Sequence, residues 1–219
     1  MKYLILIVLL CFDHSINKTD IIGIDVSHYQ GKINWDKVNN WKGNEIQFVY
    51  VKATEGTTYQ DRKYKANFNG ALSNNFRVGS YHYFRTSSSI QGQFKNFTSV
   101  VDKNKQVLIP MIDVEEKKHW DNRTFHKNLK KFLLMIEDHY KVKPIIYCVN
   151  SFYNKYLSYG YEDYQFMIGR YSKNKPYMKK GAWSIWQFSE TGRINGIEKM
   201  VDIDILNKNL TNLLFKNFF

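Results

Sequence analysis

Residues Leu108–Glu116 read LIPMIDVEE, an apolar segment that carries acids only at its far end. If the segment is a β-strand, alternation places Met111, Asp113 and Glu115 on one face. Two carboxylates on one face of an apolar strand are costly to bury, unless they are paired or take part in chemistry. An ion-paired strand end is the simpler interpretation of Asp-x-Glu alone. Its position at the carboxyl end of a strand favours chemistry, because barrel enzymes keep their active sites there.

Length and composition predict one globular domain. The 219 residues are 43% hydrophobic and 16% aromatic, which is sufficient for a full core. Lysine and arginine total 32 against 20 acidic residues, a net charge of +12 at pH 7. Such a charge attracts anionic partners, including nucleic acid, acidic membranes and anionic cell-wall polymers. The basic residues are dispersed and no zinc-finger spacing is present, so a nucleic-acid-binding protein is disfavoured.

The N-terminal segment has the form of a secretory signal peptide. Met1–Phe12 carries one lysine and then an apolar run too short to span a bilayer, so we expect no membrane anchor after processing. We expect removal of residues 1–19, which leaves residues 20–219 as a single domain with Cys148 as its only cysteine. The protein would then be secreted or delivered to a lysosome- or phagosome-like digestive vesicle. Candidate glycosylation sequons lie at Asn17, Asn96, Asn122 and Asn209.

Eight apolar segments are spaced as the strands of a closed sheet. Strands are predicted at Ile21–Ser27, Phe48–Ala53, Arg77–Phe84, Leu108–Glu116, Pro144–Val149, Phe166–Gly169, Ala182–Phe188 and Met200–Ile205. Helical spacing predicts a short helix at Asn34–Trp41, helices capped by Asp61 and Ser89, and a long helix at Asn122–Tyr140. Later gaps leave room only for helical turns or loops. The alternation predicts an α/β fold, a TIM-like barrel with a parallel eight-stranded sheet whose last strands lack full helices.

Four acids lie at or near predicted strand ends. Asp25 belongs to the first strand, Asp113 and Glu115 to the fourth, and Asp202 to the last. A closed parallel barrel brings its strand ends to one rim, so we expect these acids to meet in one pocket. Such a cluster is typical of carboxylate-driven hydrolysis.

Aromatic residues near the same rim are candidate sugar contacts. Tyr81, Tyr83, Tyr147 and Trp186 lie in predicted strands and could stack on sugar rings, with core packing as the alternative role. We interpret His82 as structural, because it has no partner at metal-ligand spacing. The sequence also has no phosphate-binding glycine loop or nucleophilic serine elbow, and we expect neither a metal nor another cofactor.

Five short motifs occur in order along the chain. They are Gly23–Gly31 (GIDVSHYQG), Lys52–Gly56 (KATEG), Gly79–Phe84 (GSYHYF), Ile112–Glu116 (IDVEE) and Trp186–Phe188 (WQF), the last followed by Val201-Asp202. Together they resemble the glycoside hydrolase family 25 lysozymes, the Chalaropsis-type N-acetylmuramidases, from about Ile21 to Leu206. The resemblance implies hydrolysis of the β-1,4 bond between N-acetylmuramic acid and N-acetylglucosamine. Bacterial peptidoglycan is thus the expected partner of an enzyme that we expect to be monomeric.

The resemblance also implies roles for single residues. Glu115 would be the general acid, with Asp113 beside it. The other site residues would be the acids Asp25 and Asp202 and the sugar contacts Tyr81, Tyr147 and Trp186. Two positions depart from the family pattern: Asp204 stands where Asn is usual, and Arg170 stands where a small residue is common.

The spacing of the central acids bears on mechanism. Residues two apart on a strand are about 6.6 Å apart and point the same way, so Asp113 and Glu115 are poorly placed to attack opposite faces of one sugar ring. Their repulsion raises one pKa, and we assign that proton to Glu115. The nucleophile would be Asp25, Asp202 or the substrate's own 2-acetamido group. We favour the acetamido group, with net retention.

Two alternatives come from other classes of protein. A catalytically silent sugar-binding protein could use the same fold. Such a protein would be expected to lack the general acid, whereas Glu115 is present. A chitinase is the nearest rival enzyme. Its strand motif carries further aspartates upstream, where this chain has Ile109 and Met111.

Overall fold

The computed structural model describes residues 20–207. The predicted signal peptide and the sequons at Asn17 and Asn209 lie outside the described residues. Eight strands build the barrel: β1 Ile21–Val26, β2 Asn44–Glu55, β3 Arg77–Tyr83, β4 Met111–Asp113, β5 Ile145–Val149, β6 Phe166–Gly169, β7 Ile185–Gly192 and β8 Val201–Leu206. The predicted closed α/β barrel is confirmed.

The barrel sheet is mixed, whereas a fully parallel sheet was predicted. Strands β1 to β7 pair in parallel in sequence order. Strand β8 is antiparallel to both β7 and β1, and it closes the barrel. The connection from Gly192 to Val201 is too short for a parallel crossover, which needs a dozen or more residues. The last strand therefore runs in the opposite direction.

Helices cover only part of the barrel. They are α1 Tyr64–Ser73, α2 Ile90–Val100, α3 Asn122–Tyr140 and the short α4 Asn150–Phe152, which continues into a π-helical turn at Tyr153–Leu157. The serine predicted to cap α2, Ser89, accepts a hydrogen bond from the Gly92 amide. Asp121 caps α3 in the same way. Within the described chain, no helix is long and apolar enough to cross a membrane.

The predicted helix at Asn34–Trp41 is wrong. A 3-10 turn at Trp35–Lys37 is followed there by a short strand, Asn40–Trp41, that pairs antiparallel with the start of β2. Lys42 and Gly43 both have positive φ and form the tight turn between this short strand and β2.

A second short strand, Tyr59–Gln60, pairs with the end of β2. Further 3-10 turns lie at His28–Gln30 and Lys103–Lys105. Asp61 does not cap α1, which begins after Lys63.

Strand alternation divides the core into two layers. Met111, Ile145 and Met167 belong to the cluster inside the barrel. Ile112 belongs to the larger cluster outside, which includes Phe132 of α3. Regular pairing in β4 begins only at Met111, because the preceding Pro110 has no amide hydrogen to donate. The predicted alternation of the central strand is therefore observed, and it directs Asp113 and Glu115 toward the inside of the barrel mouth.

Candidate active site

A cleft of about 210 Å³ opens at the carboxyl ends of the parallel strands. Its walls include the predicted acids Asp25, Asp113, Glu115 and Asp202 and the predicted contacts Tyr81 and Tyr147. Asp202 reaches this rim because β8 is reversed. It lies near the start of its strand, where it is paired with Asp25 near the end of β1. The structure thus brings the four acids together by a route that differs from the predicted one.

Trp186 is not brought to the cleft. Its indole Nε1 donates to the carbonyl of Arg170 at 2.8 Å, and its ring packs against Phe188 with 5.0 Å between centroids. Trp186 is buried in the outer cluster. The inward position belongs to its neighbour Gln187, which lines the cleft. Within the WQF motif, Gln187 and not the predicted contact Trp186 therefore lines the cleft.

Gln187 links one acid to two tyrosines. Its amide nitrogen donates to Asp25 Oδ2 at 2.7 Å. Its carbonyl oxygen accepts from Tyr147 and Tyr171 at 2.7 and 2.8 Å. These contacts fix the orientation of the amide. The backbone of Gly169 in β6 passes close to this network. A Cβ atom at that position would lie 2.7 Å from the Tyr147 hydroxyl oxygen, so a larger residue would not fit there without a shift.

The acids of β1 and β8 are proton-holding groups. Burial raises the pKa of Asp25 to about 6, although the Gln187 hydrogen bond opposes the rise. Burial, with the nearby charge of Asp25, raises the pKa of Asp202 to about 9. Neighbouring carboxylates cannot all ionise in a pocket poor in water. This side of the cleft therefore binds protons at pH values where ordinary aspartates do not.

Asp113 and Glu115 differ in depth. Asp113 is only 8% exposed, and its Oδ1 has no hydrogen-bond partner among the residues described. Glu115 is exposed at the mouth and accepts a hydrogen bond from the Tyr83 hydroxyl at 3.2 Å.

Both central acids have raised pKa values. Burial and the charge of Glu115 raise the pKa of Asp113 well above its usual range. Although the Glu115 side chain is exposed, the surrounding walls of the cleft partly exclude water from its carboxyl group and raise its pKa, but Tyr83 and Lys52 oppose that rise. The two carboxyl groups therefore do not both ionise readily in the free site. The assignment of the proton to Glu115 stays a prediction.

The two departures from the family pattern lie close to the cleft. Asp204 is completely buried, and neither carboxyl oxygen has a hydrogen-bond partner within residues 20–207. Burial, with the charges of Asp25 and Asp202, raises its pKa well above the usual range. Arg170 donates from Nη1 to Asn150 Oδ1 at 3.0 Å and so ties β6 to α4.

His82 can also be placed in the fold. His82 is fully buried on the outer side of the barrel, where its ring nitrogens lie 2.7 Å from Thr54 Oγ1 and 3.2 Å from Gln93 Oε1. Burial lowers its pKa to about 4, so the ring is neutral. In the part of the chain that the structure describes, no group of three His, Cys, Asp or Glu side chains is arranged to hold a metal ion.

Comparison with known proteins identifies the family. The sequence model of the family Glycosyl hydrolases family 25 matches residues 24–197 of this chain. The chain belongs to glycosyl hydrolase family 25. The sequence-based assignment is therefore confirmed, and the protein is a glycoside hydrolase of the lysozyme type.

Relatives of this family 25 hydrolase agree in sequence and in fold. It is 33% identical to the protein YegX of Escherichia coli K12 over 195 residues, covering 88% of this chain and 72% of YegX. It is 30% identical to Lysozyme M1 of Streptomyces globisporus, covering 88% and 69% of the two chains. The solved bacterial lysozyme from Streptomyces coelicolor superposes with a TM-score of 0.81 at 28% identity, covering 93% of this chain and 100% of that one.

Proposed function

We propose that the protein is an N-acetylmuramidase that cleaves the β-1,4 bond between N-acetylmuramic acid and N-acetylglucosamine in bacterial peptidoglycan. The observation that carries the proposal is the convergence of four acids in one cleft at the barrel rim. Similarity to proteins named lysozyme supports the choice of substrate. We further propose that the enzyme acts as a monomer, after secretion or in a digestive vesicle.

Glu115 donates the proton in this proposal. It is the member of the central pair that is exposed at the mouth, where a glycosidic oxygen can reach it. Asp113 lies deeper, with an unpartnered oxygen among the described contacts. An amide N–H of the substrate that donates to Asp113 stabilises its charged form and so favours the proton on Glu115. Substrate binding thus favours the protonation state that the reaction needs.

The substrate's acetamido group supplies the nucleophile. Proton transfer from Glu115 to the leaving oxygen breaks the bond to C1, and the acetamido carbonyl oxygen bonds to C1 on the opposite face. Glu115, now ionised, takes a proton from the water that opens this cyclic intermediate. Two displacements at C1 give net retention. Asp113 orients the acetamido group and stabilises its developing positive charge.

Product analysis tests both the substrate and the stereochemistry. We expect purified peptidoglycan to release fragments with N-acetylmuramic acid at the reducing end, and chitin to release far less sugar. Proton NMR of the first product should show the β-anomer. An initial α-anomer would mean inversion by an activated water. Binding to peptidoglycan without release of any fragment would identify a silent sugar-binding protein instead.

The net charge of +12 leads to a second expectation. Cell walls with anionic polymers attract this protein over distances that salt screens, since the Debye length falls from about 30 Å at 0.01 M to about 8 Å at 0.15 M salt. Added salt should therefore slow lysis of whole cells by about tenfold or more, and hydrolysis of a short neutral oligosaccharide much less. Initial rates on the two substrates across this salt range provide the comparison. Equal slowing of both would exclude electrostatic attraction as the cause.

A further inference from the structure

Arg85 lies just beyond β3 and contacts two carboxylates at the cleft rim. Its Nη2 and Nε donate to Glu55 Oε1 at 2.5 and 2.9 Å. Its Nη1 donates to Glu116 Oε2 at 2.8 Å. Glu116 is also held by the Thr86 backbone amide at 3.1 Å. The guanidinium therefore bridges the end of β2 to the segment that follows β4.

Two paths lead from Arg85 toward Glu115. In one, Arg85 lies over the ring of Tyr83, 4.3 Å from its centroid, and the Tyr83 hydroxyl donates to Glu115. In the other, Glu55 holds Lys52 Nζ at 2.6 Å, and Lys52 also contacts the Tyr83 ring at 5.1 Å. Both paths end on the same tyrosine, whose hydroxyl touches the proposed proton donor.

Burial distinguishes this network from ordinary surface ion pairs. The side chains of Arg85, Glu55 and Glu116 are 32%, 23% and 12% exposed. Exposed pairs such as Lys141–Asp138 contribute little, because water and salt screen them. A guanidinium held by several hydrogen bonds to two partly buried carboxylates has far less freedom to move. The network can therefore fix the position of the groups that it contacts.

We propose that Arg85 is a positioning residue for hydrolysis, which holds Tyr83 and Lys52 in place against Glu115. The inference rests on the proposed function, because it assumes that Glu115 donates the proton. Arg85 itself does not line the cleft. It would act through the side chains that do.

The charges around Glu115 give the expected direction of a pH effect. Titratable groups face this region from several elements. They are Lys52 and Glu55 of β2, Tyr81 and Tyr83 of β3, Asp113 of β4, Glu116 and Lys118 after β4, Tyr147 of β5, Tyr171 after β6, and Asp25 and Asp202 across the cleft. Tyr83, Lys52 and Arg85 all lower the pKa of Glu115 against the effect of burial. Loss of Arg85 weakens all three influences, so the pKa of Glu115 rises. Because hydrolysis needs protonated Glu115, the alkaline limb of the rate profile moves to higher pH.

Two variants separate charge from geometry. Arg85→Met should lower kcat about tenfold or more with little change in KM, and should move the alkaline limb upward by about half to one pH unit. Arg85→Lys keeps the charge but loses the several simultaneous hydrogen bonds, so it should lower kcat with the limb close to wild type. Lys180→Met is the matched control, because Lys180 pairs with the exposed Glu162 and lies outside the cleft. It should leave both quantities unchanged.

The measurements are kcat, KM and their pH profiles on a soluble oligosaccharide, with Tm recorded for each variant. Unchanged kcat and pH limb in both Arg85 variants, beside an inactive Glu115→Gln, would overturn the role of Arg85 and leave the proposed function intact. An active Glu115→Gln would overturn both proposals together. If Arg85→Met fails to fold, the Arg85→Lys profile decides the question alone, since an unaltered kcat there contradicts positioning.

Discussion

Glu115→Gln is expected to lower peptidoglycan hydrolysis by about 10²–10⁴-fold, which is the range for loss of a general acid. The amide keeps the shape of the side chain and can still accept a hydrogen bond from Tyr83, but it has no acidic proton for the leaving oxygen. Folding should be preserved, because Glu115 is exposed at the mouth of the cleft. Release of reducing ends from purified cell walls measures the loss.

Glu45→Gln is the matched control for this experiment. Glu45 is an exposed glutamate near the start of β2, at the end of the barrel opposite the cleft. Its substitution should leave the rate within about twofold of wild type. The Glu115 variant should still sediment with insoluble peptidoglycan. A rate for Glu115→Gln near that of the control would remove Glu115 from the chemistry.

Asp204→Asn is expected to have little effect on stability at acid pH and to stabilise the fold increasingly as pH rises. The native carboxyl has a raised pKa because it is buried near Asp25 and Asp202. Between the ordinary pKa of 3.8 and the raised one, the folded state holds a proton that the unfolded state has released. The contribution of this proton to the free energy of unfolding is fully present below the lower pKa. It falls as pH rises, by up to about 1.4 kcal/mol per pH unit for one group. Asparagine has no proton to lose and removes this fall.

Chemical denaturation from pH 4 to pH 8 measures the effect. The free energies of unfolding of Asp204→Asn and wild type should be similar at the acid end and should diverge upward. Asp36→Asn is the control, since Asp36 is exposed on a 3-10 turn. Parallel pH curves for wild type and Asp204→Asn would show that the buried carboxyl is ionised in the native protein.

Much of the architecture could be predicted because apolar runs are local signals. All eight barrel strands were found, and α3 has the predicted bounds, Asn122–Tyr140, because its apolar face repeats over five turns and Asp121 precedes it. The helix at Asn34–Trp41 failed because so short a pattern is compatible with a 3-10 turn and a strand. Strand direction failed at β8 for a different reason. The residues of a six-residue apolar strand do not indicate whether it is parallel or antiparallel to its neighbours. Only the length of the connection that precedes it indicates the reversal.

The site was predictable by residue type more than by orientation. The four acids stood out because carboxylates are rare in apolar strands. Gln187 was missed beside Trp186. Which of two neighbouring residues on a strand points into the barrel depends on the strand register, and the residue types alone do not determine that register. The environment of the central acid pair was also not predictable. It depends on the unequal depth of Asp113 and Glu115 and on the Tyr83 hydroxyl, and both belong to the folded structure.

The reversed direction of β8 also determines where the chain enters and leaves the barrel. Ile21, at the start of β1, is paired with Leu206, at the end of β8. The polypeptide therefore enters and leaves the barrel at adjacent points on the same end. The cleft opens at the opposite end, where Asp25 and Asp202 pair. A barrel tethered through either of these points to a solid support or a fused domain would thus present its mouth outward. Immobilisation through residue 20 or residue 207 would place the attachment at the end of the barrel away from the cleft.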